Sequence, residues 1–203
     1  MSDKIDTKVY ELSTLVESSS EEEVNQLLSS FSCEKNPHVQ NYLHHKAILN
    51  EQRCVTKTYL VINSEEPYDI VGFFSYNISS FVLEDEISNS SRKYVTGFKN
   101  GHRTFPTLLL CQFGRADRYK GVVSGDYILT SFLSLAKVIA KQTYIRTVSI
   151  EYDADNDFLD DYYTLDINDY EKKYEKAKLY CFHKIQLNKK PDSNQFLAAL
   201  RIN

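Results

Sequence analysis

The sequence predicts an α/β (α+β) fold, a mixed and mostly antiparallel sheet flanked by helices, from three observations. A strand-like run, Thr107 to Phe113, leads through a basic glycine turn into a helix-like segment. Two runs rich in Val, Ile, Tyr, Phe and Thr, residues 55–62 and 69–83, flank the polar turn Asn63 to Pro67 and read as an antiparallel hairpin. Strand and helix patterns then alternate to the end without repeats or a long linker, in the order β-α-α-β-β-β-α-β-α-β-β. Residues 1–203 are read as one domain with its core between about residues 9 and 187.

Residues 9–16 are expected as a first strand. Ser18 to Ser20 followed by Glu21, Glu22 and Glu23 reads as a helix entrance, with hydroxyl caps ahead of acids. Asn36-Pro37 opens a second helix expected to reach Gln52, since proline is tolerated in a first helical turn. The polar residues 84–103 are expected as a loop. After the basic turn, Ile128, Leu129, Phe132, Leu133, Leu135, Ala136, Ile139 and Ala140 have the spacing of a buried helical face. Residues 145–152 are expected as a strand, residues 153–169 as an acidic insertion, and residues 170–180 as a late helix. Short strands at 181–187 and 196–202 close the chain.

Composition excludes several classes. The 203 residues carry a net charge of −4, which disfavours a generally basic, nucleic-acid-coating protein and leaves room for a local basic face. No run approaches the roughly 20 apolar residues of a membrane span, and the first residues lack the apolar stretch of a signal peptide. Cys33, Cys54, Cys111 and Cys181 are scattered without Cys-x-x-Cys spacing, so reduced thiols in the cytoplasm are expected rather than a zinc site. Asp153-x-Asp155-x-Asp157 fails as a calcium loop, because Phe158 stands where glycine is needed and Thr164 where glutamate is needed.

The turn Arg118-Tyr119-Lys120-Gly121-Val122-Val123-Ser124-Gly125 is the first candidate for chemistry. Two of the six glycines fall within it. A strand, a glycine turn and a helix start together can hold a phosphate through backbone N–H groups and the positive helix end. The helix end contributes only about 0.3–1 kcal/mol, so the donors and nearby cations must supply the rest. The turn lacks the Gly-Lys-Ser/Thr ending of a nucleoside-triphosphate loop and the three-glycine dinucleotide spacing.

Four further segments, in order, resemble the GNAT family of acetyl-CoA-dependent N-acetyltransferases, closest to its toxin-type branch. They are Phe31-Ser32-Cys33 with the helix to Gln52 and Thr58-Tyr59-Leu60-Val61, then Ile70-Val71-Gly72-Phe73-Phe74-Ser75, then Pro106 to Leu110, and finally Ala177-Lys178-Leu179-Tyr180. The resemblance spans about residues 30–187. It implies a coenzyme loop of Arg118, Lys120, Gly121, Val122, Val123, Ser124 and Gly125, with Phe113 along the acetyl arm. It also implies Tyr180 as proton donor to the departing thiolate, with no metal. Val123 stands where that branch has its middle glycine, Asp126 adds a carboxylate beside the loop, and Lys184 replaces a late glycine.

Glu151, at the end of the strand after the coenzyme helix, is the candidate base for the acceptor amine, with His102 as a second candidate. Aminoacyl-tRNA, a polyamine and a lysine side chain remain open as acceptors. An antitoxin and a homodimer are the protein partners the resemblance admits. A tRNA would need a basic track, for which Arg92, Lys93, Lys99, Arg103, Arg115, Lys120, Lys189 and Lys190 are candidates. The alternative is an inactive GNAT-fold binding module with a degenerate loop.

Overall fold

The computed structural model describes residues 5–66, 69–98, 102–190 and 193–202, apart from the side chains of 188–190 and 193. Seven strands form one sheet in the order β1-β2-β3-β4-β5-β7-β6. They are β1 (Thr7–Glu11), β2 (Lys57–Asn63), β3 (Ile70–Val82), β4 (Thr104–Arg115), β5 (Thr147–Asp153), β6 (His183–Lys190) and β7 (Ser193–Arg201). The pairings β1–β2, β2–β3, β5–β7 and β6–β7 are antiparallel, as the sequence predicts for most of the sheet. The last strand, β7, enters between β5 and β6.

Chain contacts divide the molecule into two compact units, Met1–Asn77 with Leu110–Phe132, and Ile78–Leu109 with Leu133–Asn203. In the first unit the chain turns helical earlier than expected. After β1 comes α1 (Leu12–Ser18), not a continuing strand. Strand alternation would group Leu12 with Thr14 and Val16, whereas a helix gathers Leu12, Leu15 and Val16 on one face. Leu12 is fully buried, so tertiary burial decided between two locally acceptable patterns. The predicted entrance of the next helix holds. In α2 (Glu21–Ser29), Ser20 and Glu23 form a reciprocal capping box.

The helix expected from Pro37 to Gln52 is divided into α3 (Pro37–His45) and α4 (Ala47–Gln52), with Lys46 at φ −122° between them. The hairpin pairs Leu60 with Phe73 and Val61 with Gly72. Phe31 packs edge-on to Phe73 at 5.2 Å, and Tyr42 stacks on Phe73 at 6.0 Å. Gly72 is a contact glycine: a Cβ there would lie 2.5 Å from Ile128 Cδ1 and 2.6 Å from the Gly114 carbonyl oxygen. The family-like Val-Gly-aromatic pattern therefore has a packing reason in this chain.

The second unit corrects two expectations. Residues 84–103, expected as a loop, contain α5 (Asn89–Thr96). The serines that suggested a loop serve as its cap, since Ser88 accepts from the Ser91 N–H, and Val95 is buried. The acidic insertion folds as α7 (Asp157–Thr164) and α8 (Ile167–Tyr174), capped by Asn156 and Asp166. Here Asn and Asp act as helix starters, and Tyr163 and Tyr170 are buried beneath them. The late helix expected to reach Tyr180 ends at Tyr174, where Glu175 takes the left-handed conformation (φ 52°). The long helix α6 (Gly125–Thr143) follows the predicted apolar face.

Candidate functional site

In the first unit, the end of β4 and the start of α6 are joined by a loop anchored at its root. The Ala116 N–H donates to the Val71 carbonyl at 2.9 Å, and the Asp117 N–H donates to the Ser32 carbonyl at 2.8 Å. The Asp117 carboxylate in return accepts from the Glu34 N–H at 2.7 Å and the Ser32 hydroxyl at 3.3 Å. A 3-10 turn covers Asp117–Tyr119. The buried Tyr119 donates its hydroxyl to Asp69 and accepts from Asn63 Nδ2 at 3.2 Å. Burial, reinforced by Asp69, holds the Tyr119 phenol above its ordinary pKa.

Arg118 also belongs to this root. Its guanidinium pairs with the buried Asp69 at 2.8 Å and with Glu66 at 3.3 Å, and lies 5.4 Å from the Tyr119 ring centre. Lys120, the next cation, is exposed and makes no ion pair among the described residues. Phe113, on β4, is half-buried.

Gly121 has φ 84°, a conformation that side chains rarely adopt, and a Cβ there would meet nothing within 4 Å. The Val122 and Val123 N–H groups both turn back to the Tyr119 carbonyl, at 3.1 and 2.9 Å. Val123, where the resemblance expects a glycine, does not have positive φ, a backbone that a β-branched residue can adopt. Its carbonyl is held at 2.7 Å by Arg115 Nη1. Ser124 caps α6 by accepting from the Tyr127 N–H at 3.2 Å. The N–H groups of Gly121, Ser124 and Gly125 find no acceptor among the described residues. Three unsatisfied donors at a helix start, beside an exposed lysine and with open space at Gly121, can take an anion. Asp126, in the first turn of α6, opposes it.

Sequence reasoning found Gly121, Ser124 and Gly125 but missed the parts that shape the loop. Arg115 was read only as a surface cation, and Asp69 and Asp117 were not singled out. Their tasks depend on partners far away in sequence, which no local pattern records.

The second unit holds the other expected site residues. Glu151 lies half-buried on β5, in register with Leu197 of β7. Tyr180 is half-buried in an irregular segment before β6, not on a helix. That segment is pinned on both sides. Lys178, 3% exposed, donates to the Asp161 and Leu165 carbonyls at 3.0 and 2.5 Å, and the Phe182 N–H donates to the Tyr163 carbonyl at 2.8 Å. His102 stacks on Phe98 with ring centres 4.2 Å apart. Lys184, at the position where the resemblance expects glycine, pairs with Asp160 at 2.7 Å.

Part of the expected basic track is committed elsewhere. Arg92 is buried and donates to the His102 carbonyl at 3.2 Å, and Arg103 pairs with Asp85. Lys99 and the side chains of Lys189 and Lys190 lie outside the described residues. Among the described residues no three His, Cys, Asp or Glu side chains gather as a metal site, and no helix is long and apolar enough to cross a membrane.

No family model matches the sequence, and no curated protein matches it. Solved structures do match the fold. A mutant of KacT superimposes with TM-score 0.62 at 10% identity, covering 97% of this chain and 95% of that one. AtaT complexed with acetyl-methionyl-tRNAfMet gives 0.61 at 12% identity, covering 95% and 94%. A mutant AtaT toxin bound to the C-terminus of the antitoxin AtaR and acetyl-CoA gives 0.59 at 11% identity, covering 97% and 94%. The resemblance read from the motifs thus holds over nearly the whole chain at the level of architecture, and the protein has the GNAT fold of these toxins.

Proposed function

We propose that this protein is an N-acetyltransferase that takes acetyl from acetyl-CoA and places it on an amine, the amino group of an aminoacyl-tRNA. The observation that carries the reading is the loop before α6, with the free N–H groups of Gly121, Ser124 and Gly125, open space at Gly121 and the exposed Lys120. These residues fit the pyrophosphate of a coenzyme, and they occur in a fold shared with an AtaT solved with acetyl-CoA and another solved with acetyl-methionyl-tRNAfMet. A small antitoxin is the corresponding protein partner.

Bound acetyl-CoA supplies an activated acetyl thioester. The chain's own residues would do three things. Backbone donors from Gly121 to Gly125, with Val122 and Val123 shaping the turn and Lys120 adding charge, hold the phosphates. Arg118 keeps the root of that turn in place, and Phe113 lines the path of the acetyl arm. The Glu151 carboxylate takes a proton from the acceptor amine, and Tyr180 Oη gives one to the sulfur as the C–S bond breaks and the new C–N bond forms. A positioned general acid at the departing sulfur is worth about 10²–10⁴ in rate.

The first test is calorimetric titration with acetyl-CoA, followed by acetylation of aminoacyl-tRNA by the wild-type protein and Tyr180→Phe. Micromolar binding is expected, with kcat lowered about 10²–10⁴-fold in the variant and coenzyme affinity unchanged. Absence of binding at millimolar coenzyme would sink the reading and favour a non-catalytic binding module.

A further inference from the structure

The acidic balance of this chain, 28 Asp and Glu against 24 Lys and Arg, is not spread evenly. Three segments contain cations and no acidic residue at all: residues 87–102, 127–150 and 193–203. In the second unit the structure brings parts of all three together. Lys137, Ala140, Lys141, Tyr144 and Ile202 line one surface depression. The Ile202 N–H donates to the Arg146 carbonyl at 3.0 Å, and the Arg201 N–H donates to the Tyr94 hydroxyl of α5 at 2.9 Å. Arg146 lies against Gly97, at the end of α5, where a Cβ would stand 2.0 Å from its Nη1.

Two features separate this face from ordinary solvated lysines. None of Lys137, Lys141, Arg146 and Arg201 makes an ion pair among the described residues, whereas other cations of the second unit do: Arg103 with Asp85, Lys172 with Asp169, Lys173 with Asp161 and Lys184 with Asp160. The Arg146 Nε is also buried without an acceptor. The second feature is Tyr144, which follows α6 in the left-handed conformation (φ 58°) and is 87% exposed as a residue. A large aromatic there costs conformational energy and gains no packing.

We infer that this face is a docking surface for the sugar-phosphate backbone of an RNA strand, with Lys137, Lys141, Arg146 and Arg201 neutralising phosphates and Tyr144 stacking on a base. Cations that make no ion pair, beside an exposed aromatic, are what a sequence-tolerant nucleic-acid surface requires. That the polymer is RNA rests on the aminoacyl-tRNA reading above. These residues are distinct from the predicted basic track.

The test measures fluorescence anisotropy of labelled unfractionated tRNA, and of a labelled uridine 20-mer, between 50 and 300 mM salt, with roughly 0.9 or less lost from the log–log slope per phosphate contact removed. The variants are Lys137→Ser with Lys141→Ser, and Tyr144→Asn, which suits left-handed backbone. The lysine pair should weaken both probes at low salt and flatten the slope by about 1.4–1.8. Tyr144→Asn should weaken binding of both probes about tenfold or more at every salt concentration. Acetyl-CoA titration should be unchanged in all of them, so loss of coenzyme binding alone condemns the enzyme reading and not this face. Unchanged RNA affinity and slope in both variants would overturn the inference. So would binding of polyglutamate, but no RNA, to the wild-type protein, which would mark the face as a site for an acidic protein.

Discussion

Substituting Gly121 separates two physical effects at the candidate loop. Its φ of 84° makes any side chain costly, about 1–2 kcal/mol for an L-residue, while the lack of atoms within 4 Å of a Cβ removes any clash. Gly121→Ala should therefore lower stability by about that amount and leave the fold intact, with coenzyme affinity reduced by no more than about tenfold. Gly121→Asp adds the same backbone strain and a carboxylate beside the free Gly121 N–H. A unit charge about 5 Å from a bound phosphate, at an effective dielectric near 20, costs about 3 kcal/mol, or roughly a hundred-fold in affinity beyond alanine. Raising salt from 0.1 to 1 M shortens the screening length from about 10 to about 3 Å and should narrow that gap. Calorimetry with acetyl-CoA reads affinity, and thermal unfolding reads stability. Equal coenzyme affinity for the aspartate and alanine variants would refute an anion at this turn.

Two predictions concern what holds the units themselves. Lys178→Met should remove the donor serving the Asp161 and Leu165 carbonyls and the cation 5.0 Å from the Tyr170 ring centre; the Asp161 carbonyl keeps the Leu165 N–H, so the cost is about 1–3 kcal/mol at the Leu165 carbonyl. Hydrogen exchange should speed up across residues 157–182, and unchanged protection there would show that Lys178 is dispensable. Glu11 accepts hydrogen bonds from Lys57, then Ser13, which together hold its carboxyl below the ordinary glutamate range. A depressed folded pKa gives stability that is present above the unfolded value near 4.3 and lost as pH falls through the lower folded one. Glu11→Gln should flatten the decline of Tm below about pH 5, by about 1 kcal/mol or less at this half-exposed site, and parallel curves would contradict it.

What could be read from the sequence, and what could not, follows from the range of the forces involved. The hairpin, the start of α2 and the apolar face of α6 rest on neighbours within a few residues, and all appear as read. The errors arise where a local signal had two meanings. Ser88 and Asn156 are loop formers by composition and helix caps by position, and only buried partners such as Val95 and Tyr163 decide between them. The candidate loop shows the same division. Gly121 announced itself, because its backbone demand is written in its own residue type. Arg115, Asp117 and Asp69 did not, because each acts on a group distant in sequence, as Asp117 does on Glu34.

Val123 is the most instructive of these residues. Judged by residue type, it contradicts a glycine turn. Judged by its bonds, it is held by Tyr119 and Arg115 in a turn that needs positive φ only at Gly121. The turn at Val123 is thus shaped by the Tyr119 carbonyl on one side and Arg115 on the other, not by backbone freedom. The shape of the proposed anion site depends on Arg115, a residue that would contact no substrate.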